Sequence, residues 1–141
     1  MTPWTAVEGL VRELEGRIRA DFKSVLPDLS LRFMRYSEWA GPNRVGHDQD
    51  EDIICVTDRS AFPIQAEDGI EMSCCVVADQ LQDMAMDDLR RPWPLLRGAG
   101  PALVPTPAMD ALGKACWQAE GRFLCPIGYL FRALGVFNII E

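Results

Sequence analysis

Val7, Leu10, Val11, Leu14, Ile18, Phe22 and Val25 recur at intervals of one, three and four residues, which places them on one stripe of an α-helix nearly six turns long. A helix of that length with one apolar face must be covered along its whole extent, so the rest of the chain has to fold around it. Thr2 suits the N-cap and Pro3 the first helical position, while Pro27 sets the end. Glu8/Arg12, Glu13/Arg17 and Glu15/Arg19 lie four apart with the acid on the N-terminal side, the orientation that supports a helix.

With 141 residues, 48% of them hydrophobic, the chain can build a core without disulfides or a structural metal, and one domain over residues 1–141 is expected. Collagen, coiled coil and a disordered tail are excluded by the same composition. Fourteen Lys and Arg stand against 21 Asp and Glu, for a net charge of −7. Such a balance opposes sequence-independent nucleic-acid binding, which needs a basic stripe to neutralise phosphates, and favours a basic or neutral partner. The charged residues between Glu8 and Lys23 leave no apolar core of signal-peptide length, and no apolar run approaches the ~20 residues of a membrane span. A cytoplasmic location without membrane attachment is therefore expected.

Three runs after the first helix read as strands: Leu29 to Trp39, Asp52 to Thr57 and Ile70 to Ala78. The second and third are apolar on both faces, the pattern of strands central in a sheet. Ala61 to Gln65 reads as a short edge segment, since Pro63 cannot donate to a ladder. Residues 79–91 carry Leu81, Met84, Ala85, Met86 and Leu89 at helical spacing, and Pro92 and Pro94 end that helix. The stretch Pro92 to Pro107 is rich in proline and glycine yet carries Leu95, Leu96, Leu103 and Val104, so it should pack across the body. Beyond it two readings compete. Thr106-Pro107 could cap a helix through Ala119, or residues 113–119 and 122–128 could form a hairpin turned at Glu120-Gly121.

The strings Trp93-Pro94, Pro101-Ala102-Leu103-Val104-Pro105, Gly113-Lys114-Ala115-Cys116-Trp117 and Cys125-Pro126-Ile127-Gly128-Tyr129-Leu130 form a layout that resembles short uncharacterised actinobacterial proteins. The resemblance covers the second half of the chain and favours the hairpin around Trp117. Where that layout offers a histidine this chain has Ala102, and its cysteines are displaced, so no cysteine-histidine metal site carries over. The resemblance implies no activity.

Five cysteines (Cys55, Cys74, Cys75, Cys116, Cys125) form an odd set without a CxxC, beside a single histidine. Neither a disulfide framework nor a zinc ribbon fits, and reduced thiols filling the core are expected, with no metal and no cofactor. The densest polar cluster runs from Gly46 to Asp52. There His47 with Asp48 and Asp50 could form a general base or a weak cation site. A calcium loop fails, because Ile53 stands where glycine and Arg59 where glutamate is required. A solvated loop insulating the strand Ile53 to Val56 is the plainer reading. Asp79, Asp83 and Asp87 lie four apart opposite the apolar stripe of the second helix, a like-charge row that costs a few tenths of a kcal/mol per pair. A helix that accepts this cost is suited to present an anionic face to a basic partner. Trp93 between two prolines could add a wall to a binding surface, although tryptophan more often fills a core. Cys55 with His47 lacks a third group to orient the imidazole, so a thiol nucleophile is not expected.

The expected fold is thus α+β: an N-terminal helix on a small, mostly antiparallel sheet, a second helix, and a C-terminal hairpin or helix. The expected function is a protein-binding or adaptor module, of which an inhibitor or immunity-like protein is one form, with Asp79, Asp83, Asp87 and Trp93 at the interface. The alternative is a small enzyme or cation-dependent catalyst centred on His47, Asp48 and Asp50.

Overall fold

The computed structural model describes residues 4–40, 53–96, 103–133 and 139–140. Helix α1 spans Trp4–Phe22, β1 Leu31–Arg35, α2 Tyr36–Ala40, β2 Ile53–Thr57, β3 Ala61–Ile64 and α3 Gly69–Leu89. Strands β4 (Leu95–Leu96), β5 (Thr106–Met109), β6 (Ala115–Ala119), β7 (Arg122–Pro126) and β8 (Ile139–Ile140) follow. The architecture is α+β, with two three-stranded antiparallel sheets, β1-β2-β3 and β5-β6-β7, and a short antiparallel pair of β4 with β8. Thr2 and Pro3 lie outside the described residues.

The stripe on α1 is buried as its spacing requires, with Leu14, Ile18 and Phe22 at 0% exposure. Its closest helical neighbour is α3, and α3 in turn packs on β5 and β6. Phe22, Trp93 and Trp117 meet at the centre, with ring centroids 5.1 to 5.9 Å apart and the two indoles edge to face at 86°. That geometry adds to the area these rings already bury.

Strand β2 is central, flanked by β1 and by β3, and Ile53, Ile54 and Cys55 are all buried. Pro63 lies on β3, at the side of the sheet away from β1, where its missing N–H costs nothing. The run from Leu29 to Trp39 is strand only over Leu31–Arg35, after which Tyr36–Ala40 turns into a short helix.

The expected strand from Ile70 to Ala78 is instead the first half of α3, one continuous helix of 21 residues. Ile70, Cys74, Val77, Ala78, Leu81 and Ala85 fall at helical spacing, but Cys75 and Val76 fill the gaps and disguise it as an unbroken apolar run. Because α3 is covered on two sides, Cys75 and Val76 are half-buried as well, so the period weakens where packing is densest. Arg90 ends the helix in the left-handed conformation, its backbone N–H bonded to Met86 O, and Pro92 follows.

Of the two readings of the last third, the hairpin is found: β6 and β7 pair antiparallel, and Glu120 (φ 52°) and Gly121 (φ 75°) form the two-residue turn with both dihedrals positive. That is the signature of a turn whose twist matches its strands. Thr106–Met109 is strand β5 beside β6 rather than the start of a helix. The proline-rich stretch packs where described, with Trp93 and Pro94 buried and Leu96 bridged to Leu103. Among the described residues no helix is long and apolar enough to cross a membrane.

Candidate functional site

The sequence-predicted residues separate widely. Asp79, Asp83 and Asp87 are all exposed on one face of α3, while the opposite face buries Cys74, Val77, Ala78, Leu81 and Ala85. None of the three aspartates makes a hydrogen bond or ion pair among the described residues. Their neighbour Asp88 differs, since it accepts from the Arg59 guanidinium, which holds its carboxyl below the usual range. Trp93 is 1% exposed and belongs to the aromatic core. Its expected place in a binding wall is thereby corrected: the ring fills the gap between Phe22 and Trp117 and offers no face to a partner. His47, Asp48 and Asp50 lie outside the described residues.

Three polar constellations whose pairings no local sequence pattern marks tie the elements of the fold together. Asp21 is fully buried near the end of α1. Its Oδ2 accepts from Trp117 Nε1 at 2.8 Å and Gly128 N at 2.7 Å, and its Oδ1 from Leu130 N at 3.0 Å. Burial pushes this carboxyl above its ordinary value, and the three donors oppose that push. A carboxylate with both oxygens accepting and no access to solvent is a bracket between α1 and the segment 127–130, not a base open to substrate.

Arg17, one turn earlier, donates Nη1 and Nη2 to Glu71 of α3 at 2.7 and 3.1 Å and Nε to Ile127 O at 2.8 Å. Glu71 also accepts from Ala115 N at 2.9 Å, so one ion pair ties two helices to β6. Gly128 is required beside it: a Cβ there would meet Arg17 Cγ at 3.0 Å, and its φ of +108° disfavours other residues. Finally, Gln82 on the buried side of α3 donates to Trp93 O at 3.0 Å and Pro105 O at 2.6 Å, fastening the proline-rich stretch.

A signal for Asp21 did exist. It sits three residues after Ile18, inside the apolar stripe, where a carboxylate must find partners. Glu71 carried no such mark, because the run around it read as strand. All five cysteines are free thiols, four of them buried, and burial pushes Cys55, Cys74 and Cys125 up to about 12.

No family model, curated protein or solved structure matches this chain.

Proposed function

We propose that this chain is a small cytoplasmic protein-binding module that meets a basic partner through the exposed face of α3. The observation that carries the reading is the state of Asp79, Asp83 and Asp87: exposed, four apart, and unpaired among the described residues, on a helix anchored by a fully buried opposite face. Arg17–Glu71, Arg19–Glu15 and Arg59–Asp88 by contrast form ion pairs. A row of like charges on a rigid helix raises the encounter rate with an oppositely charged surface and repels acidic ones.

The test begins with the immobilised 141-residue chain in native extract, followed by purification of what it retains. That partner should bind wild type and the His47→Ala variant alike, and bind weakly to the triple variant Asp79→Asn, Asp83→Asn, Asp87→Asn. A small-molecule turnover lost in His47→Ala and kept in the triple variant would replace this reading with the catalytic one.

A further inference from the structure

A concave pocket of about 160 Å³ opens beside the C-terminal turns of α3, between the segment 26–29 that follows α1 and the turn joining β2 to β3. Leu26 is buried on its wall, with Leu29 and Met84 half-buried. Exposed Asp28, Asp58 and Asp88 stand around it with Arg59. The Thr57 hydroxyl accepts from Arg59 N at 3.2 Å and Ser60 N at 3.0 Å, which fixes the turn that carries Asp58. Arg59 donates to Asp88 and also feels the charge of Asp58, while neither Asp28 nor Asp58 makes a hydrogen bond or ion pair among the described residues. Three carboxylates against one guanidinium leave the pocket with two net negative charges.

An apolar wall with an acidic surround is the complement of a lysine or arginine side chain, which has a methylene stem and a cationic head. A metal ion fits poorly, since among the described residues no three His, Cys, Asp or Glu side chains are placed to hold one, and an ion would leave the wall of Leu29 and Met84 unused. An anionic ligand would face two unpaired carboxylates. Resting on the reading of α3 as a docking face, we infer that this pocket takes one Lys or Arg side chain of the basic protein partner. The stem lies against Leu29 and Met84, and the head lies between Asp28 and Asp58. Asp83 and Asp87 flank Met84 on the same helix, so steering along α3 delivers the cation to the pocket, and the pocket sets the register.

The experiment is an NMR titration of the full chain with Nα-acetyl-L-lysine N-methylamide, whose only charge is the ammonium, against its uncharged counterpart Nα-acetyl-L-norleucine N-methylamide. The lysine probe should shift the backbone amides of Leu29, Arg59 and Met84 saturably. The norleucine probe should bind about tenfold more weakly, the loss expected of one charge-assisted contact. Asp28→Asn with Asp58→Asn, both exposed, should erase that preference, and Arg59→Gln, which frees Asp88, should tighten the lysine probe. Equal binding of both probes, shifts that never saturate, or indifference to Asp28→Asn with Asp58→Asn would overturn the inference. The probe reads the pocket alone, whereas the triple variant on α3 reads association with the whole partner, so either can fail without the other.

Discussion

The Trp117 indole nitrogen donates to the Asp21 carboxylate at 2.8 Å across 96 residues of sequence, both groups fully out of solvent. This bond joins the end of α1 to the central strand of the second sheet, and the same carboxylate collects the amides of Gly128 and Leu130. Asp21→Ala would leave those donors without an acceptor, at a cost on the order of 3 kcal/mol in stability. Asp21→Asn keeps one acceptor oxygen and should cost less, though still more than about 1 kcal/mol, because its NH2 turns toward a donor. Urea unfolding followed by tryptophan fluorescence measures both. A fully stable Asn variant would mean that the carboxylate's charge is dispensable to the bracket.

Glu71 provides a pH signature. Its hydrogen bonds from Arg17 hold its carboxyl below the ordinary 4.5, with burial opposing and the Ala115 amide adding to the shift. A lowered folded-state value contributes stability above the ordinary value and loses it as pH falls through the folded one. Wild type should therefore exceed Glu71→Gln by about 2 kcal/mol near neutrality, and the difference should shrink steadily below pH 4.5. Thermal melts of the two proteins across that range decide it, and a gap that widens on acidification would contradict the assignment.

Thiol reactivity should be sharply graded. Cys55, Cys74 and Cys125 are buried and pushed up to about 12, so at pH near 8 they hold almost no thiolate. Cys75 is the one half-exposed thiol and should be alkylated first by iodoacetamide, with Cys116 behind it because it is buried. Mass spectrometry of timed samples gives the order, and uniform labelling of all five would show the core to be open.

Leu14 lies at 0% exposure midway along the α1 stripe. Leu14→Ala should cost about 3–5 kcal/mol through the cavity it leaves, and Leu14→Asp should prevent folding by burying an unpaired charge. A soluble, cooperatively melting Leu14→Asp protein would place the stripe on the wrong face.

How much was legible in the sequence depends on how many neighbours an element has. The α1 stripe was readable because the helix has a wet side, and the β6–β7 hairpin because Glu120-Gly121 sits at a two-residue turn between apolar runs. The first half of α3 was not, because Cys75 and Val76 are packed too and blur the helical period. The aspartate face was visible through charge spacing alone. Arg17–Glu71 and Asp21–Trp117 join residues 54 and 96 positions apart, a relation that no local pattern encodes. Trp93 misled because a tryptophan between prolines looks the same in a core and on a surface until its neighbours are known.

Whether α3 acts through charge is read from the association rate of the purified partner with this protein as a function of ionic strength. Replacing Asp79, Asp83 and Asp87 with Asn should leave the fold intact or stabler by up to about 1 kcal/mol, since two like-charge pairs at four-residue spacing are relieved. The wild-type rate should fall about tenfold or more as salt shortens the screening length from ~10 Å at 0.1 M to ~3 Å at 1 M. The triple variant should start near that low rate and change little with salt, and His47→Ala should follow wild type. Equal rates and equal salt dependence in wild type and the triple variant would contradict a role of α3 through charge.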